Sequence, residues 1–342
     1  VLEGALSLDP FNPALHYELG TAYMRLERND DATAAFEESL RIEPSQPNAY
    51  TNLGMIALQA GDGVGMAKNF LRAIEVDPRD HELPGILAVF LYELGLADVA
   101  DDLRERVLTL GPTSEVAYQL ELLRARSQGD DEASLAAARR AVEDNIQDRR
   151  FAFGGAVRHL LRAASREGRI EEELQWIENR QPGIFDVDAS RVPQRYRNAQ
   201  GVAIEAWLQV LPREEVVRRL DVLLSYAGAL GVDPTENPRT HVAILMVRGA
   251  VDEAIEVALS EVFTDSVALH LNWRETYSQP FFEELVADTR VQDALQRWEE
   301  EEAALRASLQ SYFADMQASR PASGNTVART ASWRVPSSGF RL

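Results

Sequence analysis

The 342-residue sequence contains no cysteine. Disulfide staples, thiolate nucleophiles and cysteine-ligated zinc are therefore excluded, while the redox compartment stays open. No apolar run approaches the roughly 18 residues that a bilayer crossing needs. No charged segment followed by an apolar stretch marks a secretory leader either. Both the cytosol and the periplasm suit such a chain, with the cytosol favoured. Histidine is scarce: His16, His81, His159, His241 and His270 are scattered, with no H-E-x-x-H or other metal-ligand spacing. Each reads as a surface or packing histidine. Gly61-Asp62-Gly63-Val64-Gly65 has the glycine content of a phosphate cradle. It follows a helical pattern and lacks the Lys-Ser/Thr ending, so it reads as a turn. No G-x-S-x-G occurs, the acids from Glu299 to Glu302 read as the solvated face of a helix, and Glu171 to Glu173 suit a helix N-terminus. The expectation is a chain that is not an enzyme and needs no cofactor or metal.

What the sequence does have is negative charge. Its formal net charge is −20, at 45% apolar and 26% charged residues, which is the balance of a folded domain. An acidic surface repels DNA, RNA and anionic lipid and speeds encounters with basic partners. Solubility or a salt-adapted source would produce the same charge. Residues 319–342 differ, with four arginines and no acid in a Ser-, Pro- and Gly-rich stretch. This tail reads as disordered.

A period of 34 residues organises the first half. Pro10, Pro44, Pro78 and Pro112 fall in register, as do Gly20 with Gly54 and Phe36 with Phe70. The unit from Pro13 to Gln46 carries Leu19-Gly20, Tyr23, Ala32, Phe36, Ser39 and Pro44. The unit from Pro47 to Asp80 carries Tyr50, Leu53-Gly54, Ala57, Phe70, Ala73 and Pro78. A third, from His81 to Ser114, keeps Leu87-Ala88, Gly95, Ala100, Val107 and Pro112, with Arg104 at the second aromatic position. A fourth, from Glu115 to Asp148, keeps Tyr118, Gly129 and Ala141. Small residues at Gly20, Gly54, Ala32, Ala100 and Ala141 let paired helices approach, and Tyr23, Phe36 and Phe70 fill the space between units. Gly61, Gly95 and Gly129 fall where a first helix must stop and turn.

This pattern resembles the tetratricopeptide repeat family. The resemblance implies an all-α fold: a right-handed α-solenoid of antiparallel helix pairs, here with a long C-terminal capping helix. The expected organisation is the end of a truncated repeat at 1–12, four repeat units at 13–148 and degenerate helical repeats at 149–270. Capping helices at 271–318 and the basic tail at 319–342 follow. In the degenerate region, helix pairs are expected at Phe153–Pro182 (turning at Gly168), at Pro193–Leu211 with Pro212–Leu230, and at Asn237–Val262. The last helix, about Asp288 to Met316, carries Val291, Leu295, Trp298, Leu305, Leu309 and Tyr312 at alternating spacings of 4 and 3, interrupted by Glu302. It reads either as a cap over the last open face or as a coiled-coil contact in a homodimer. Because Val1 is not a methionine and Ala5 to Pro10 fit only the end of a second helix, at least one more helix is expected upstream.

The family's first helices line a groove that holds a peptide or helix of a partner protein. Carried over by position, the groove candidates are Tyr17, Thr21, Met24 and Arg25, then Asn48, Thr51, Met55 and Leu58. Glu82, Val89 and Tyr92 follow from the third unit, and Gln119, Leu123 and Arg126 from the fourth. Family members that clamp a terminal carboxylate use lysines, asparagines and an arginine. The matching positions here are Tyr17, Thr21, Asn52, Glu82 and Ile86, so only the asparagine is kept and that clamp is absent. Apolar anchors in an acidic surround suit a basic, amphipathic protein segment rather than nucleic acid or inserted lipid. The tail around Arg329, Arg334 and Arg341 could occupy the same groove in cis. Leu271-Asn272-Trp273 through Pro280-Phe281-Phe282 and Asp288-Thr289-Arg290-Val291 resemble the ends of repeat-containing bacterial cyclases and transcription regulators. That resemblance implies, as an alternative to a scaffold, the regulatory part of a longer signalling protein. A substrate-recruiting arm of a transferase is the third reading.

Overall fold

The structure, a computed structural model, describes residues 2–144, 152–186 and 197–319. Over these residues every regular element is helical. The basic tail beyond Ser319, with Arg329, Arg334 and Arg341, lies outside the described residues, as do the end of the fourth repeat after Asp144 and the expected start at Pro193. The chain divides into two compact units. The first comprises residues 1–112, 266–271 and 300–342, and the second 113–265 and 272–299.

In the first unit, α1 (Leu2–Leu8) precedes three helix pairs. These are α2 (Pro13–Arg25) with α3 (Asn29–Ile42), α4 (Pro47–Gln59) with α5 (Gly63–Val76), and α6 (Glu82–Glu93) with α7 (Ala97–Leu110). Turns this short make the two helices of each pair antiparallel neighbours. Helix starts follow from local chemistry. Asn12 Oδ1 accepts from the backbone N–H of Ala14 and Leu15, with Pro13 in the first turn, where its missing N–H costs nothing. Asp62 accepts from Gly65 N–H at 2.8 Å to open α5.

The turn inside each pair uses one left-handed residue. Gly61 (φ 76°) and Gly95 (φ 72°) fill it in the second and third pairs, and Asp62 and Leu96 then donate back to the carbonyls of Ala57 and Leu91. The first pair makes the same turn, with Arg28 N–H on the Tyr23 carbonyl, but the left-handed residue is Glu27, at φ 58°. A β-carbon in this conformation costs roughly 1–2 kcal/mol, and the Glu27 side chain is exposed. Glu27→Gly is therefore expected to raise stability by about 0.5–1 kcal/mol after glycine's larger unfolded-state entropy is charged. A urea midpoint unchanged or lowered in the variant would contradict this.

Gly20 and Gly54 are needed for a different reason. A β-carbon on Gly20 would stand 2.7 Å from the Phe36 ring, and one on Gly54 would press further still into Phe70. Both rings are essentially inaccessible. Stacking then completes the core: Ala32, Phe36 and Leu40 of one pair cluster with Ala49, Leu53 and Ile56 of the next, with Tyr17, Tyr23, Met24 and Tyr50 packed against them. The buried Ser39 hydroxyl donates to the Pro13 carbonyl at 2.6 Å, tying the end of α3 to the start of α2.

The second unit continues the pattern with α8 (Glu115–Ser127) and α9 (Asp131–Glu143), turning at Gly129. Next come α10 (Ala152–Arg166) with α11 (Ile170–Arg180), turning at Gly168, and α12 (Arg197–Val210) with α13 (Arg213–Ala229). After them, α14 (Pro238–Arg248) pairs through Gly249 with α15 (Val251–Val257), which widens into a π turn at Ala258–Val262. One core runs through these helices, from Leu122 and Val142 through Val157, Leu160 and Ile177 to Trp207, Leu220 and Ile244. Helix pairs thus do persist beyond the regular repeats. Two short helices, α16 (Trp273–Tyr277) and α17 (Glu283–Val286), lead to the long α18 (Thr289–Ala318).

The residues of α18 up to Glu299 belong to the second unit and the rest to the first. In the second unit, Trp298 is buried, its Nε1–H donates to the Asp265 carbonyl at 3.2 Å, and its ring meets Phe263 at 4.8 Å. In the first, Leu305 and Leu309 lie where a β-carbon on Gly63 would be, at the start of α5. This half of the helix therefore covers the second helix pair rather than a last open face. Two details of the expected seam change. Glu302 does not interrupt it: the side chain is 2% exposed and paired with Arg306 at 2.8 Å. Phe313, not Tyr312, continues the buried stripe, and Tyr312 lies beside Lys68 instead. Among the described residues of α18 no large apolar side chain stays exposed.

Candidate functional site

In the first unit the groove candidates lie on the first helix of each pair. Tyr17 is half-buried, with its ring 5.6 Å from Phe36 and its hydroxyl 3.5 Å from Asn52 Nδ2, which links adjacent pairs. The hydroxyls of Thr21 and Thr51 donate to the carbonyls of Tyr17 and Pro47 within their own helices. Met24, Met55, Leu58 and Val89 are each partly exposed, and Arg25, Asn48 and Glu82 are exposed. Tyr92 departs from the expectation. It is 5% exposed and its hydroxyl donates to Asp101 at 2.5 Å, so it packs inside its own pair.

A residue left off the expected contact set belongs to this row. Ile86, at a position where the carboxylate-clamping relatives would need a basic side chain, is 50% exposed on α6. Its hydrophobicity in the middle of a first helix, out of phase with buried Leu83, Leu87 and Phe90, was the available signal.

The remaining candidates lie in the second unit. Gln119 is partly exposed, and Leu123, 6% exposed, is core. Arg126 is held by Glu275 at 2.8 Å. Glu275 also receives Arg162 at 3.0 Å. Burial raises the Glu275 carboxyl, but Arg126 and Arg162 outweigh it and hold the group below the usual carboxylate range. Arg126 is thus the outer member of a structural ion-pair cluster. His159 lies in the same region, its Nε2 3.0 Å from the Ser134 hydroxyl. Desolvation, with help from Arg126, lowers its pKa to about 4. It is therefore a neutral, buried histidine at ordinary pH.

Paired helices that complete their core by stacking on the next pair define an α-helical repeat protein. Residues 13–46 match the family model described as tetratricopeptide repeat, and the chain carries a tetratricopeptide repeat at that position. Among curated proteins it is similar to the Protein CTR9 homolog of Arabidopsis thaliana, 27% identical over 176 residues, covering 48% of this chain and 16% of that protein. It is also similar to the tetratricopeptide repeat and J domain-containing co-chaperone DNJ1 of Cryptococcus neoformans, 30% identical over 138 residues, covering 37% and 26%. The chain thus spans about a quarter or less of the curated relatives it matches. Among solved structures, PilW, a type IV pilus biogenesis factor, aligns with a TM-score of 0.40 at 16% identity, over 64% of this chain and 92% of that one. The P58(IPK) TPR domain aligns with a TM-score of 0.29 at 14% identity, over 84% and 98%. No helix among the described residues is long and apolar enough to cross a membrane.

Proposed function

We propose that this chain is a protein-interaction scaffold whose first unit holds a basic, amphipathic segment of a partner protein. The observation that carries the reading is the row of partly exposed apolar side chains on α2, α4 and α6: Tyr17, Met24, Met55, Leu58, Ile86 and Val89. Methionines and a tyrosine at such a surface give adaptable, large-area contacts, and the net charge of −20 adds attraction to a basic guest. Exposed Glu82 supplies negative charge beside Ile86.

The test uses a labelled basic amphipathic helical peptide and fluorescence anisotropy. Ile86→Asp and Met55→Asp are each expected to weaken binding about tenfold or more, the loss typical of a buried anchor. Raising the salt concentration should slow association more than it speeds dissociation. Equal capture of a charge-matched peptide with no apolar face, or unchanged affinity in both variants, would refute the reading.

A further inference from the structure

The row on α2, α4 and α6 suits a basic guest with apolar anchors, and the chain carries such a segment itself. Residues 320–342 hold Arg320, Arg329, Arg334 and Arg341 and no acid, whereas residues 1–112 hold nineteen acids against eight lysines and arginines. The tail also has anchors. Trp333 and Phe340 stand among its serines, prolines and glycines, each followed by an arginine. Segments that only solvate are poor in aromatic residues, and tryptophan and arginine are the side chains that most often carry a protein contact. Trp333 and Val335, with Arg334 between them, have the alternation that gives an extended chain one apolar and one charged side.

The tail is tethered to the unit that bears the row. It continues from α18, whose part beyond Glu299 belongs to the first unit, with Leu305 and Leu309 against Gly63 and with Phe313 and Met316 buried near its end. From Ser319, chain at about 3.3 Å per residue spans roughly 45 Å to Trp333. Helices of 13 residues, such as α2 and α4, are about 20 Å long and pack about 8–10 Å apart. That reach covers all three first helices. A linked segment meets its site at an effective concentration on the order of millimolar, so an intrinsic Kd of about 0.1 mM keeps the site about nine-tenths occupied.

We propose that the segment around Trp333 docks in cis on the row of the first unit and that a partner must displace it. Trp333 is the apolar anchor, and the adaptable side chains of Met24 and Met55 suit an aromatic ring. Arg329 and Arg334 face exposed acids such as Glu18 and Glu82. The inference rests on the reading of the row as a protein-binding surface and adds its regulation: the full chain holds itself in a partly closed state.

Two measurements on the full chain test it. Because the sequence has no cysteine, Ser332→Cys carries a single benzophenone label. Irradiation and peptide mass spectrometry are expected to place cross-links within one chain on α2, α4 or α6, and Met55→Asp with Ile86→Asp should remove most of them. In the anisotropy assay with the basic amphipathic peptide, Trp333→Asp with Phe340→Asp should raise affinity about tenfold, a gain that a misfolded chain cannot mimic. The gain should shrink in the Ile86→Asp background. Cross-links confined to other helices or formed only between chains, or a peptide affinity unchanged by the tail substitutions, overturn the proposal. A peptide that binds neither form of the chain removes the groove reading instead, and the cross-links alone then decide where the tail docks.

Discussion

Replacing Gly54 by alanine is expected to destabilise the protein by a net 1–2 kcal/mol or so, although alanine is the better helix former by about 1 kcal/mol. The added methyl group would enter the ring of Phe70, and it would also lie 3.4 Å from the Met66 carbonyl. Phe70 is 1% exposed and surrounded by buried Met66, Leu71 and Ile74, so the ring has nowhere to go. Overpacking of this kind costs about 1–3 kcal/mol and outweighs the propensity gain. Urea denaturation of the variant measures the loss. Phe70→Leu should be destabilising alone, but in combination with Gly54→Ala it should recover part of the loss, a positive coupling in a double-mutant cycle. A more stable Gly54→Ala, the result for an unconstrained helical glycine, would show that the two helices do not approach as closely as described.

The protein should also lose stability between about pH 6.5 and pH 4 because of His159. Burial beside Arg126 and Arg166, only partly offset by Glu275 and Asp131, lowers its folded-state pKa from 6.5 to about 4. Above pH 6.5 the histidine is neutral in both states and contributes no pH dependence. As the pH falls through 6.5 the unfolded chain takes up a proton that the folded chain refuses, so the unfolded state gains. Below about pH 4 both states are protonated and the loss saturates. At 1.36 kcal/mol per unit, the shift corresponds to a loss on the order of 3 kcal/mol. Other groups titrate in this range, so the comparison that isolates the effect is wild type against His159→Gln, each measured at pH 7 and pH 4.5. The variant should show a shallower fall with acid. Parallel falls in the two proteins would remove His159 as the cause.

The repeat itself was legible because its constraints are local. Gly54 must be small for Phe70, Gly61 must turn, and Pro44 and Pro78 must sit between pairs. Each of these leaves a residue type at a fixed spacing. Glu27 obscured the rule by adopting the left-handed turn without being glycine, a strain visible only in the backbone. On α18 the spacing found Trp298, Leu305 and Leu309 but took Glu302 for a break, since sequence does not show that Arg306 neutralises it inside the seam. It left a homodimer contact and a cap as alternatives, because nothing in a heptad-like pattern names its partner. The groove candidates all fall on first helices, but the spacing does not reveal their depth. Tyr92 and Leu123 share the spacing of Met55 and Leu58, yet packing takes them inside.

Leu305 and Leu309 reach back to Gly63, and this imposes an order on biogenesis. The helix pairs of the first unit rely on short-range contacts and can form while the chain is still being made. The notch at Gly63 closes only after α18 has left the ribosome. Until then the nascent chain leaves the start of α5 uncovered, which is the moment at which a holdase would be most useful to it. A transcript cut short before residue 300 would leave it uncovered for good.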